Sequence, residues 1–152
     1  MNMDSIYSPF LRYFRSKRKR LFHQAMNPKP SLRILDVGGH HLFWKGMECQ
    51  NPITCFNLRF LQFDETPPQF EYIQGDGRYL PYDDTEYDIV FSNSVIEHLG
   101  RYEDQKQFAA EIRRVSESYW VQTPNRWFPV EPHLVSPLIH YFPKRFQRRL
   151  IR

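Results

Sequence analysis

Residues that could bind a ligand follow directly after several short apolar segments of this sequence. Two of these features place a carboxylate beside glycine, Asp36-Val37-Gly38-Gly39 and Gly75-Asp76-Gly77. Three more supply amide and hydroxyl groups, and they are Asn57, Ser92-Asn93-Ser94 and Thr123-Pro124-Asn125. Ligands of open α/β sheets bind beyond the carboxyl ends of the strands. These features therefore predict one shared binding site.

Each of these residues has a chemical use and an ordinary structural one. Gly38 and Gly39 let the backbone turn tightly and approach a ligand closely, but they also suit any strand-to-helix turn. The carboxylate of Asp36 could orient that turn or reach a cationic ligand group through water. Asp76 could accept a hydrogen bond from an exocyclic amine such as that of adenine, or could only form a turn. Asn57 could bond a ribose hydroxyl or cap a turn.

The elements that must position these residues follow from hydropathy and from breaker residues. Apolar runs predict strands over residues 32–37, 53–58, 70–74, 87–92 and 119–123. Helical spacing and prolines predict helices over 5–26, 41–47, 103–115, 134–141 and 144–151, with a loop over 126–133. Strands that alternate with helices are typical of parallel βαβ units. The predicted fold class is therefore α/β, a layered and mostly parallel sheet with helices on both faces.

Length and composition agree with a single domain. The 152 residues divide into an N-terminal helix and linker (1–29), a core (30–125) and a C-terminal loop with helices (126–152). No apolar run approaches the roughly 20 residues that cross a membrane, and the N-terminus lacks a secretory pattern. Cys49 and Cys55 match no metal-site spacing. We therefore expect a reduced, cytoplasmic setting and no metal.

The net charge of +4 is unevenly distributed along the chain. Residues 12–20 and 144–152 are rich in lysine and arginine, whereas residues 83–104 are acidic. Basic ends could bind nucleic acid or an anionic membrane surface. They could equally be the solvated faces of two terminal helices.

Three blocks resemble, in order and spacing, the class I S-adenosylmethionine-dependent methyltransferases of the type 11 kind. They are residues 34–39 (ILDVGG), 75–82 (GDGRYLPY) and 87–99 (YDIVFSNSVIEHL). The resemblance covers roughly residues 30–125, and it depends on the second and third blocks because the first alone is a weak motif. It implies a Rossmann-like sheet, S-adenosylmethionine as cofactor, and methyl transfer to a small-molecule or metabolite acceptor.

The resemblance also implies a set of cofactor-binding residues. They are Asp36, Gly38, Gly39, Asn57, Asp76, Gly77, Ser92 and Asn93. The glycines after the first strand would hold the methionine part of the cofactor. Asp76 would face the adenine amine, with Gly77 or Arg78 giving a backbone contact beside it. Asn57 would stand where the family usually has an acid for the ribose hydroxyls.

On the acceptor side the resemblance implies that Ser94, Glu97 and Trp127 contact the substrate. Glu97 and His98 would open the helix beside the acceptor. A general base is needed only if the acceptor must lose its proton early, and His98 and His133 are the candidates. Each of these histidines could instead be structural. The aromatic segment around Trp127 could recognise the acceptor or cover the sheet.

Two departures from the family pattern concern the cofactor. His40, His41 and Leu42 follow Gly39 where the family usually has further glycines, so side chains narrow the approach to the cofactor carboxylate. His40 could instead donate a hydrogen bond to that carboxylate. Asn57 keeps the hydrogen-bonding capacity of the usual acid but loses its charge.

The family normally adds two strands beyond the fifth, and here we expect only helices after Asn125. The fifth strand would then lie at an edge, which the final helices could cover or which could pair with a second copy in a homodimer. Three hypotheses follow. The chain is an active small-molecule methyltransferase, a degenerate domain that binds cofactor or a partner, or a nucleic-acid or membrane-surface binder.

Overall fold

A computed structural model describes residues 3–47, 49–59, 61–124, 130–131 and 136–137. Their contacts divide the chain into two units, residues 19–123 on the one hand and residues 1–18 with 124–152 on the other. The strands β1–β5 are Ile34–Val37, Ile53–Asn57, Phe70–Gln74, Tyr87–Asn93 and Ser116–Gln122. The helices are α1 (Met3–Met26), α2 (His41–Trp44) and α3 (Tyr102–Arg114), with a 3₁₀ turn at Ile96–His98.

All five of these strands form one parallel sheet in the order β3-β2-β1-β4-β5. The chain moves outward from β1 to β3 and then returns to β4 on the other side of β1. This reversal makes the carboxyl ends of β1 and β4 a topological switch point, which is where open α/β sheets bind ligands. The strand β5 ends the sheet order, as the sequence predicted.

The strand β1 is buried on both sides, because helices cover both faces of the sheet. On one face Leu35 and Val37 belong to an apolar cluster with Phe108 and Ile112 of α3. On the other face Ile34 clusters with the end of α1 and with α2. The continuous apolar sequence of β1 thus reflects a strand with no solvated face.

The elements predicted up to residue 123 are present, with shifted ends. The strand β3 has the predicted bounds, whereas β1 begins at Ile34 and α2 ends at Trp44. The strand β5 begins at Ser116, before its predicted start at residue 119. The prediction began late because Ser116 is polar and the next two residues, Glu117 and Ser118, are polar and exposed. An edge strand needs a partner on one side only, so its sequence carries a weaker apolar signal.

The prediction for residues 126–141 is corrected in two places. Val130–Glu131 (β6) pairs antiparallel with Ser136–Pro137 (β7), so strands occur where a loop and a helix were expected. Proline restricts the residue before it to extended conformations, which favours a strand at Ser136. The predicted helix over 144–151 and the predicted site residues Trp127 and His133 lie outside the described residues.

No helix within the described ranges is long and apolar enough to cross a membrane.

Phe22, in the last two turns of α1, packs against the sheet and provides a test of this packing. Its ring is 1% exposed and lies edge-on to Trp44, Phe91 and Trp120 at 5.7, 5.1 and 6.0 Å. We expect Phe22→Ala to lower the free energy of unfolding by about 3–5 kcal/mol, because it leaves a cavity in the core. Urea denaturation measures this change.

The matched control is Leu21→Ala, whose side chain is 44% exposed on the same helix turn. We expect it to cost at most about 1 kcal/mol. Equal losses in the two variants would contradict the packing of α1 through Phe22.

Candidate functional site

A cavity of about 350 Å³ opens beyond the carboxyl ends of β1–β4. Its size lies within the roughly 300–1,000 Å³ of ligand pockets. The predicted site residues that line it are Gly38, Asn57, Asp76, Gly77, Ser94 and His98. Larger depressions of about 610 and 960 Å³ lie beside β5 and beside α2, but no predicted cofactor-binding residue lines either of them. The strand-end cavity is therefore the candidate site.

Glycine is required where the loops after β1 and β3 approach their neighbours. Gly38 has φ +86°, and a Cβ atom there would overlap the Val95 side chain. Its N–H donates to the Phe56 carbonyl at 2.8 Å. A Cβ at Gly77 would lie 2.8 Å from Phe108 and 2.9 Å from a methyl of Val37. At both positions only glycine, which has no side chain, fits between its neighbours and lets the loop come close to a ligand.

Asp36 is fully buried and supports the loop after β1 rather than lining the cavity. Its Oδ2 accepts a hydrogen bond from Trp44 Nε1 at 2.7 Å, and no described residue donates to its Oδ1. A Cβ at Gly39 would overlap this carboxylate, so the acid occupies the space of the missing side chain. Burial raises the pKa of Asp36 to about 7, and the bond from Trp44 opposes that rise.

Asn57 links the end of β2 to the loop after β1. Its Nδ2 donates to the carbonyl of Gly39 at 2.9 Å. A carboxylate at this position could not donate and would repel that carbonyl. Asn57 thus stabilises the loop that leads into His40 and His41.

Asp76 lies at the cavity wall just beyond β3, with its side chain 27% exposed. The Arg78 guanidinium binds it, with Nη2 2.6 Å from Oδ2 and Nε 3.0 Å from both carboxylate oxygens. These bonds lower the pKa of Asp76 below its usual value, against the effect of burial. The cavity therefore presents an ionised carboxylate at neutral pH.

The three polar residues at the end of β4 have different surroundings. The hydroxyl of Ser92 is buried and donates to the carbonyl of Val37 at 2.9 Å, so it joins β4 to β1. Asn93 lies opposite Gln122 in the β4–β5 register. Ser94 lines the cavity at φ +59°, a left-handed conformation that non-glycine residues rarely adopt. Such conformations cluster at functional sites.

The 3₁₀ turn after β4 separates the two acceptor-side residues that were predicted together. His98 lines the cavity. Glu97 lies on the turn but not in the cavity lining, where its Oε2 accepts a hydrogen bond from Thr123 at 3.1 Å. The turn is not the start of α3, because Gly100 with φ +74° precedes that helix.

The two histidines after Gly39 also have different surroundings. His41 Nδ1 lies 2.7 Å from the Tyr72 hydroxyl, so this residue ties α2 to β3. His40 is partly buried, its Nδ1 has no partner among the described residues, and burial lowers its pKa. His40 thus retains an unpaired ring nitrogen near the loop that the sequence assigned to the cofactor.

Several lining residues were not predicted from the sequence. Phe108 is a buried core residue of α3, and it also forms an apolar wall of the cavity together with Phe56 and Leu99. Arg59 lines the cavity two residues after Asn57. The signal for Phe108 was its apolar spacing in α3, which indicates burial but does not distinguish a core from a cavity wall. No cluster of His, Cys, Asp and Glu suited to a metal occurs in the part of the chain that the structure describes.

Comparisons with known proteins agree with this geometry. Residues 54–118 match the family model of a methyltransferase domain. No curated protein matches the chain in sequence. Among solved structures, a candidate S-adenosylmethionine-dependent methyltransferase from Methanococcus maripaludis is 15% identical with a TM-score of 0.55, covering 79% of this chain and 60% of its own.

Two further structures extend this likeness. A candidate methyltransferase from an antibiotic biosynthesis pathway of Anabaena variabilis is 16% identical with a TM-score of 0.60, covering 89% of this chain and 59% of its own. A methyltransferase from Aquifex aeolicus is 13% identical with a TM-score of 0.56, covering 88% and 76%. The chain thus spans about 60% of the length of the first two structures. The likeness confirms the Rossmann-like fold that the sequence predicted.

The buried carboxyl of Asp36 predicts a pH-dependent stability. Folded Asp36 keeps its proton up to about pH 7, whereas the unfolded chain releases it near pH 4. The folded state therefore binds the extra proton between these values, and stability falls as the pH rises through them. From pH 5 to pH 8 we expect wild type to lose up to about 3 kcal/mol relative to Asp36→Asn.

Urea unfolding of both proteins at the two pH values measures this difference. The control is Asp83→Asn, which lies on an exposed turn and should follow the wild type. If Asp36→Asn shows the same pH dependence as wild type, the buried carboxyl does not control it.

Proposed function

We propose that this chain, which carries a methyltransferase domain of the class I fold, binds S-adenosylmethionine in the strand-end cavity and transfers its methyl group to a small-molecule acceptor. One observation carries the proposal. Gly38, Asp76 and Ser94, from three separate sequence blocks, line a single cavity at the switch point of the sheet. Residues far apart in sequence would not meet at this position in an unrelated arrangement of the same strands.

The residues of the cavity fit the parts of this cofactor. Phe56, Leu99 and Phe108 offer an apolar wall to a purine ring, and the ionised Asp76 offers an acceptor to its amino group. Gly38 lets backbone approach the methionine part. On the ribose side Asn57 can supply its amide oxygen and the second hydrogen of Nδ2, since only one of the two amide hydrogens donates to Gly39.

The bound cofactor supplies an electrophilic methyl group, so the protein has mainly to position the reactants. Ser94 and His98 line the cavity beyond β4, where the acceptor would enter. Ser94 is fixed there because its N–H donates to the carbonyl of Gln122 at 2.8 Å. If the methyl acceptor must lose a proton, we assign His98 the role of the base that takes it.

A second candidate function is a domain that binds the cofactor but no longer transfers the methyl group. It is favoured by the engagement of Glu97, an acceptor-side residue whose carboxylate accepts a hydrogen bond from Thr123 and does not line the cavity. Single-turnover transfer from labelled cofactor to a panel of small hydroxyl, amine and thiol acceptors distinguishes the two. Transfer in wild type that His98→Ala reduces supports catalysis, whereas binding without transfer supports the second function.

Asp76→Ala tests the cofactor site directly. Calorimetric titration with S-adenosylhomocysteine, the demethylated product, should give a measurable affinity for wild type. We expect Asp76→Ala to weaken it by about 1–3 kcal/mol, because the purine amine loses a charged acceptor.

Asp83→Ala is the matched control, since it removes an exposed aspartate on the turn before β4. It should bind as wild type does. Unchanged affinity in folded Asp76→Ala would make Asp76 a turn residue only. No binding by wild type at millimolar concentration would overturn the proposed cofactor site.

A further inference from the structure

We propose that Arg78 is a positioning residue that holds the Asp76 carboxylate in place and thereby makes the cavity selective for a purine with a 6-amino group. The inference rests on the proposed function, since it concerns how that cavity reads the base of the cofactor. Arg78 itself is not among the lining residues. It would act only through Asp76.

Arg78 contacts two carboxylates that are far apart in sequence. Its Nε and Nη2 bind Asp76, and its Nη1 lies 2.6 Å from Oδ1 of Asp104. Asp104 belongs to the first turn of α3. The backbone N–H of Arg78 also donates to Oδ1 of Asp76 at 3.0 Å. One residue therefore fixes the orientation of Asp76 and ties it to a helix.

The helix that holds Asp104 is itself rigidly placed. Phe108 and Ile112 of α3 are buried in the apolar cluster that also contains Leu35 and Val37 of β1. Through its bonds to Asp76 and Asp104, the guanidinium thus connects the loop after β3 to a helix that packs against the central strand β1. Arg78 is suited to this task because its planar fork can bind two carboxylates at fixed angles. Lysine, with a single ammonium, has no such geometry.

The pairing leaves Asp76 able to bind a ligand. An ionised carboxylate offers about four acceptor positions. Three N–H groups of Arg78 use them, namely the backbone N–H, Nε and Nη2. The single hydrogen of Nε is shared between the two carboxylate oxygens, so three hydrogens serve about four positions, and the 27% exposed side chain can accept one more hydrogen bond from the cavity. The bonds from Arg78 also favour the ionised form of Asp76, as its lowered pKa indicates.

A fixed, ionised acceptor discriminates between purines by the group at position 6. The amino group of adenine donates a hydrogen bond, whereas the carbonyl oxygen of hypoxanthine presents a second negative dipole to the carboxylate. Sites built to bond a specific polar group reject the analogue that lacks it, because the buried partner is left unpaired. If Asp76 could rotate away, that rejection would weaken while the apolar contacts of the purine remained.

The experiment compares S-adenosylhomocysteine with S-inosylhomocysteine by calorimetry. The quantity measured is the ratio of their dissociation constants in wild type, Arg78→Met and Arg78→Lys. We expect wild type to prefer the adenosyl ligand at least about tenfold, and Arg78→Met to lose most of that preference. Arg78→Lys should retain part of it, because the charge persists without the fork.

Arg113→Met is the control, since Arg113 is an exposed arginine of α3 that does not line the strand-end cavity. It should keep the wild-type ratio. If Arg78→Met does not fold, Asp104→Asn removes the second anchor and should lower the same ratio. A smaller ratio in either folded variant supports the inference.

The outcomes separate this inference from the proposed function. Equal weakening of both ligands, with the ratio unchanged, would show that Arg78 only stabilises the loop and would overturn the inference alone. A wild type that binds neither ligand would overturn the proposed function and the inference with it.

Discussion

The burial of β1 on both faces constrains everything else in this protein. Its neighbours β2 and β4 run parallel to it, so the carboxyl ends of β1–β4 meet at one edge of the sheet. Helices cover both faces of the sheet, and residues that follow β1, β2, β3 and β4 line the cavity at that edge. The cavity is a consequence of this arrangement, because loops that leave the sheet toward opposite sides of β1 separate at the switch point.

Two acids next to these loops have opposite electrostatic surroundings. Asp36 is buried beneath Gly39, and the effect of burial outweighs that of its one hydrogen bond from Trp44, so the neutral form of its carboxyl is favoured. Asp76 faces the cavity and is paired with Arg78, so its charged form is favoured. The first acid supports the backbone that a ligand approaches, and the second presents charge to the ligand. Carboxyl groups whose pKa values are shifted by their surroundings are common at functional sites.

The sequence predicted the five strands of the parallel sheet, the fold class and several of the residues that line the cavity, because these depend on local patterns of apolar residues and glycine. It could not predict which way each side chain turns. Asp36 and Ser92 lie near strand ends, as Asp76 and Ser94 do. The side chains of Asp36 and Ser92 nevertheless form hydrogen bonds inside the protein, whereas Asp76 and Ser94 line the cavity. The bond between Arg78 and Asp104 joins residues 26 positions apart and has no local signal. Residues 134–141 were assigned to a helix by apolar spacing, which overlooked the restriction that Pro137 places on Ser136.

The most direct test of the cofactor site is a map of backbone amide shifts in isotope-labelled protein titrated with S-adenosylhomocysteine. Binding in the strand-end cavity predicts the largest shifts at Gly38, Gly77 and Ser94, which come from three different loops. Amides beside the α2 depression, such as Gly46 and Gln69, should shift little. Shifts that cluster around Gly46 and Gln69, or no shifts at saturating ligand, would contradict the assignment of this cavity to the cofactor.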